Sequence, residues 1–93
     1  MYELKKYHGD RVQSLTYDDD KIAFSVGIIS PGEYQFGAIK KEIFTVTYGS
    51  ISVWEEESNE WNDYENGETF IIRSINNFIL KVDKISAYIC HYE

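Results

Sequence analysis

The chain has one cysteine, one proline and one methionine in 93 residues, and its nine lysines and arginines are outnumbered by sixteen aspartates and glutamates. The single Cys90 excludes an intrachain disulfide framework and any zinc site built from cysteine pairs, and it points to a reducing, cytoplasmic compartment. The shortage of basic residues leaves a net charge of −7, which repels polyphosphate backbones and argues against a nucleic-acid polymer or an anionic membrane as partner. Long hydrophobic runs are missing as well. The longest near-apolar stretch, Ile22 to Ile29, is far too short to span a bilayer, and Met1 to Asp10 has no apolar segment of the secretory kind. The length excludes a two-domain dinucleotide-binding or barrel enzyme, so residues 1–93 are read as one domain.

Aromatic residues are plentiful. Eight Tyr, five Phe and two Trp let a short chain bury large side chains at each core position. Short segments rich in Ile, Val, Phe, Tyr and Thr alternate with turn signals, and none sustains a 3.6-residue apolar period, which predicts an all-β domain. The predicted strands are Val12 to Tyr17, Ile22 to Ile29, Tyr34 to Ala38, Ile43 to Tyr48, Ser50 to Glu55, Glu60 to Tyr64, Thr69 to Arg73, Asn77 to Val82 and Ser86 to Tyr92. Pro31-Gly32, Gly49 and Asn66-Gly67 mark turns. Asp18-Asp19-Asp20 forms a polar tip whose carboxylates can hold nearby backbone N–H groups, and it lacks the alternating ligand spacing of a calcium loop. So many strands in an open sheet would leave long edges, so a closed barrel or a jelly roll is expected.

Strand alternation sorts the side chains. Glu42, Phe44, Val46 and Tyr48 share one face of their segment, which sets a carboxylate among apolar residues. Phe70 aligns with Ile72, and Phe78 with Leu80 and Val82, while Lys81 points away. For Ser86 to Tyr92 both faces are apolar enough to be the inner one.

The chain resembles the cupins. Glu42 and Gly49 have the spacing of the end of the first cupin motif, with Pro31-Gly32-Glu33-Tyr34 at the preceding turn, and Gly67 fits the start of the second. No His pair stands around Phe36 to Ala38, Arg73 takes the place of the second motif's Pro, and Phe78 that of its His. Further fragments narrow the likeness: Ser25-Val26-Gly27-Ile28, Gly32-Glu33-Tyr34-x-Phe36, Thr45-Val46-x-x-Gly49, Trp61-x-x-Tyr64-x-x-Gly67-x-x-Phe70, Phe78-x-x-Lys81-Val82 and Ala87-Tyr88-Ile89-Cys90-x-Tyr92. In order and spacing they resemble the small single-domain cupins of the pyrimidine/purine nucleoside phosphorylase family, long known only as a domain of unknown function.

The resemblance implies an all-β, single-domain cupin jelly-roll barrel and a pentosyltransferase reaction. Nucleoside and inorganic phosphate would give free base and ribose 1-phosphate, with purines and pyrimidines both accepted. No cofactor is implied, and no metal: His8 and His91 fall outside any ligand motif and read as surface and terminal-strand residues. The cup would then be lined by aromatics and carboxylates. Glu42 and Glu33 are the candidate catalytic carboxylates, Tyr34, Phe36, Phe78 and Tyr88 the candidate substrate-binding aromatics, and Lys21 and Arg73 the candidate phosphate cations. Each has a plainer reading. Glu42 could be a strand-entry residue, Glu33 a turn residue, Tyr88, Cys90 and Tyr92 core or subunit-contact residues, and the cations ordinary surface charge. The alternative function is a non-enzymatic cupin that binds a nucleobase or sugar. Small cupins pair through sheet edges, so a homodimer is expected.

Between Glu55 and Glu68 lie seven acids and no Lys or Arg, so the whole net charge belongs to this one stretch. Trp54 and Trp61 bracket its first part and could pin a hairpin onto the barrel; the acids themselves read as a solvated tip.

Overall fold

The structure, a computed structural model, describes residues 2–93. Ten strands follow one another: β1 (Tyr2–Tyr7), β2 (Val12–Asp18), β3 (Ala23–Ile29), β4 (Gly32–Ala38), β5 (Glu42–Tyr48), β6 (Ser50–Glu55), β7 (Glu60–Glu65), β8 (Thr69–Ile72), β9 (Asn76–Val82) and β10 (Ser86–Tyr92). Nine match the strands expected from the sequence to within about two residues. The tenth, β1, was not expected. Its sequence YELKKY has too little alternation to announce a strand, and it pairs on one side only, with β2, where lysines are tolerated and discourage edge-to-edge association.

The strands form two antiparallel sheets, ordered β1-β2-β3-β10-β5-β8 and β4-β9-β6-β7. Eight of them nest around one hairpin. β6 pairs with β7, β5 with β8, β4 with β9 and β3 with β10, so the chain from β3 to β6 is a long ribbon partnered by the chain from β7 to β10. Rolled up, this ribbon sends successive pairs to alternate sheets, which is the jelly roll of a cupin. The two sheets face each other without joining into a continuous barrel. β1 and β2 lie outside the roll and widen the larger sheet.

The core is where the inward positions of both sheets meet. Ile29, Val46, Ile72 and Cys90 from the larger sheet are fully buried against Ile51 and Leu80 from the smaller. Phe44 and Phe70, directly paired across β5 and β8, stack at 4.8 Å with their planes 8° apart. Ring pairs of this kind add about 0.5–1.5 kcal/mol beyond their buried area. The ambiguity in β10 resolves toward Ser86, Tyr88 and Cys90 facing inward.

Two details depart from simple alternation. Ala87 pairs with Tyr48 but Tyr88 with Val46, so Thr47 is an extra residue in a β-bulge. The bulge turns Tyr48 outward to 63 % exposure, so it does not join Phe44 and Val46 on the inner face. Directly after it Gly49 takes φ +75°, and a Cβ there would lie 2.9 Å from the Ile85 carbonyl oxygen. Any other residue would be both strained and crowded at the point where the chain crosses between sheets.

Trp54 and Trp61 face each other across β6 and β7 on the outer surface, and the Trp54 indole N–H donates to the Asn59 side chain at 3.1 Å. They therefore clasp the acidic hairpin to itself. Ile51 and Val53 attach it to the core, which corrects the expectation that the tryptophans do so. The Asp18–Asp20 tip behaves as expected: Asp19 Oδ1 accepts from the Lys21 and Ile22 amides at 2.8 Å each. Among the described residues no helix is long and apolar enough to cross a membrane.

Candidate active site

A cavity of about 500 Å³ opens between the sheets. Its walls come from β1 (Lys5, Tyr7), β2 (Ser14, Thr16, Asp18), β4 and the turn after it (Phe36, Ile39, Lys40), β5 (Glu42, Phe44), β9 (Phe78, Leu80) and β10 (Tyr88, Tyr92). This volume lies within the usual range for small-molecule sites.

Aromatic rings form a continuous lining. Tyr7 meets Phe36 edge-on at 5.7 Å, Phe36 stacks on Phe78 at 5.6 Å, Phe78 meets Phe44 at 6.0 Å, and Phe44 lies 5.2 Å from Tyr88. Phe36 and Phe78 are register partners across β4 and β9, so strand pairing itself creates the stack. Tyr88 lies over Gly27 of β3. A Cβ at that glycine would sit 2.3 Å from the Tyr88 ring, which packing against Phe44 holds in place. Gly27→Ala is therefore expected to push Tyr88 into the cavity at a cost of about 1–3 kcal/mol. That lowers the thermal midpoint by at least about 4 °C. A melting curve checks it, and an unchanged midpoint would show that the ring moves freely.

Glu42 opens β5, is half-buried and lines the cavity together with these rings. Burial pushes its carboxyl up to about 7, and the Cys90 thiol, which donates weakly to Oε1 at 3.9 Å, offsets little of that rise. Cys90 in turn is held well above its ordinary range by burial and by the nearby Glu42 charge, so it stays a thiol and not a nucleophile. Tyr92 is the register partner of Glu42 across β10 and β5. Its hydroxyl lies 2.7 Å from Ser25 Oγ, which lies 2.8 Å from Thr16 Oγ1. A chain of three hydroxyls thus crosses from β10 through β3 to β2 beside the carboxylate. Burial raises both Tyr92 and Tyr88, so both phenols remain proton donors across the neutral range.

Of the residues singled out from the sequence, Glu42, Phe36, Phe78 and Tyr88 come together in this cavity. The others lie elsewhere. Glu33 is exposed on the outward side of β4. Tyr34 is buried, but its hydroxyl donates to the Ser30 and Pro31 carbonyls at 2.7 and 3.0 Å, just before β4 begins, and it does not line the cavity. Arg73 pairs with Glu57 at 3.4 Å in a separate surface depression with Glu55. Lys21 is exposed in the β2–β3 turn, outside the lining.

The cations of the cavity are instead Lys5 and Lys40. Lys5 has only an exposed contact with Glu3 at 3.7 Å, and Lys40 forms no ion pair among the described residues. Lys40 stands two positions before Glu42, a proximity visible in the sequence; Lys5 and Tyr7 were hidden with β1.

Residues 2–92 match the family profile described as pyrimidine/purine nucleoside phosphorylase. A pyrimidine/purine nucleoside phosphorylase from Pseudomonas putida (strain GB-1) is 33% identical over 92 residues, covering 99% of this chain and 98% of its own. A crystal structure of a protein of unknown function from Vibrio parahaemolyticus is 32% identical and superposes with a TM-score of 0.93, covering 100% of this chain and 99% of its own. Another protein of unknown function, from Acinetobacter sp. ADP1, is 23% identical with a TM-score of 0.90, covers 100% of this chain and 91% of its own, and shares the fold. The match along the whole chain, carried by the same strands that build the cavity, places this protein in the pyrimidine/purine nucleoside phosphorylase family.

Proposed function

We propose that the chain is a metal-independent nucleoside phosphorylase that accepts purine and pyrimidine nucleosides. A phosphate oxygen bonds to C1′ as the C1′–N bond breaks, its electron pair leaving with the base, and the products are free base and ribose 1-phosphate. The observation that carries this reading is the position of Glu42, a half-buried carboxylate set into an aromatic wall.

Positive charge grows on the ribose in the transition state, and a carboxylate in the cavity lining can bind the sugar hydroxyls and stabilise that charge. The rings of Phe36, Phe78 and Tyr88 offer flat faces to the base. Stacking does not distinguish bases, because every base presents a π-face, and this supports the broad range. Lys5 and Lys40 at the mouth supply charge for one phosphate, the role first sought in Lys21 and Arg73. Glu33 and Tyr34, away from the cavity, have no part in this scheme. The donor set supports metal independence: the lining holds Glu42 and an exposed Asp18 but no histidine, a poor match for a transition-metal ion.

The test is purified protein incubated with uridine, adenosine or inosine, with and without phosphate, followed for free base. Release that depends on phosphate and survives a chelator is the expected result. Saturable nucleoside binding with no turnover would instead make the protein a binding cupin.

A further inference from the structure

Phosphorolysis has a proton to move. The phosphate dianion carries one P–OH proton and the departing base must gain one, so the reaction as a whole passes the proton of phosphate to the base. In a direct displacement the two stand on opposite faces of C1′ and cannot touch. Glu42, ionised beside the ribose, has no proton to give. The cavity wall holds a path with both ends open to the ligand. Thr16 and Tyr92 line the cavity, while Ser25, which joins them at 2.8 and 2.7 Å, is fully buried behind it. Strand pairing builds this path. Thr16 and Ser25 are register partners across β2 and β3. The partner of Ser25 on β10 is Cys90, and Tyr92 is the next residue on that face, a diagonal neighbour that a long side chain can reach. One partner would satisfy a serine that merely filled this position; Ser25 has two, one on each neighbouring strand. A hydroxyl has one proton and two lone pairs, so three in a row can all donate in the same direction. The first then offers a lone pair to the cavity, and the last a proton.

We propose that Thr16, Ser25 and Tyr92 form a proton relay from phosphate to the departing base. The relay rests on the phosphorolysis proposed above. Thr16 is its phosphate end: Lys5 is the register partner of Ser14, two residues earlier on β2, which makes Lys5 and Thr16 diagonal neighbours. Tyr92 is its base end, on the same face of β10 as Tyr88, whose ring is offered to the base. As a phosphate oxygen bonds to C1′ and the C1′–N electron pair leaves with the base, the P–OH proton passes to Thr16 Oγ1. The Thr16 proton passes to Ser25, that of Ser25 to Tyr92, and that of the phenol to a nitrogen of the base. Each hydroxyl ends with the single proton it began with, and ribose 1-phosphate leaves as the dianion. No charge is stranded in the wall. Burial keeps Tyr92 a phenol, as a donor must be. Thr16 and Tyr92 touch the substrates and are catalytic, whereas Ser25 acts through them.

The test compares leaving groups that need a proton with leaving groups that do not. Ser25→Ala breaks the middle link and leaves the residues of the cavity lining in place. With inosine its kcat should fall by about 100-fold or more, the size of a lost general acid, while KM for inosine and for phosphate stays within about twofold. The controls are 7-methylguanosine, whose base leaves neutral, and a nitrophenyl riboside, whose nitrophenolate is stable as an anion. On these Ser25→Ala should stay within about twofold of the natural chain, a split that a merely structural serine would not produce. Tyr92→Phe should show the same split, so a folding failure in one variant, seen by circular dichroism, leaves the other to decide. Equal losses on inosine and the controls, or no loss on inosine, in a folded variant overturn the relay and leave phosphorolysis standing. A natural chain that turns over none of the three with phosphate overturns both.

Discussion

Replacing Glu42 by glutamine is expected to lower kcat/KM for phosphorolysis by about two to three orders of magnitude, the usual cost of removing one group aimed at developing charge. The same variant should be more stable than the natural chain above neutral pH. Glu42 is raised from 4.5 to about 7 by burial, so between those values the folded chain holds a proton that the unfolded chain has released. Stability therefore falls as pH rises through this window, and above about 7 the full cost of burying the charge is present. Water reaches the half-buried carboxyl, so the cost is about 1–2 kcal/mol, less than the whole shift would give. In Glu42→Gln that cost is absent, and the thermal midpoint at pH 8 should rise by at least about 4 °C while at pH 4 it changes little. The ionised form is the one that stabilises a sugar cation. Measured at constant phosphate dianion, kcat/KM of the natural chain should climb through about pH 7 and level off, and the glutamine variant should lack the climb. An unchanged rate in a folded variant would move the catalytic role away from Glu42.

The second large effect concerns phosphate. Lys5→Gln combined with Lys40→Gln should raise the phosphate KM by about 10–100-fold, the worth of one or two charge-assisted hydrogen bonds. The nucleoside KM should stay within about twofold, because the aromatic wall is untouched. Lys5 is free to serve: its contact with Glu3 is an exposed pair, which contributes little and yields to a dianion. Arg73→Gln provides the contrast, since its guanidinium is already paired with Glu57 outside the cavity. A phosphate KM that moves with Arg73 and not with the lysines would reverse the assignment.

Strand periodicity and turn residues were enough to read nine strands, because inward residues such as Phe70, Ile72, Phe78 and Leu80 face one core at every second position. They were not enough for β1, whose cavity-lining residues Lys5 and Tyr7 are one charged and one aromatic side chain and so carry little apolar signature. The loss of that strand took Lys5 with it. Glu42 could be read from alternation alone, since it shares a face with Phe44 and Val46. The Phe36–Phe78 stack could not, for it depends on the pairing of β4 with β9, strands far apart in the chain. Lys21 and Arg73 failed for a related reason. Position near a segment end says that a side chain reaches a rim, but which rim is decided by the order of strands in the sheets.

The cavity draws its walls from Lys5 near one end of the chain to Tyr92 near the other, through seven of the ten strands once the hydroxyl chain is counted. It has no local existence. No hairpin or half of the roll contains enough of it to hold a ligand, so a partly unfolded molecule has no weakened site but none at all. Ligand binding and global folding must then rise and fall together, and a bound nucleoside would protect the amides of β1 and β10 from hydrogen exchange as strongly as those of the strands between them.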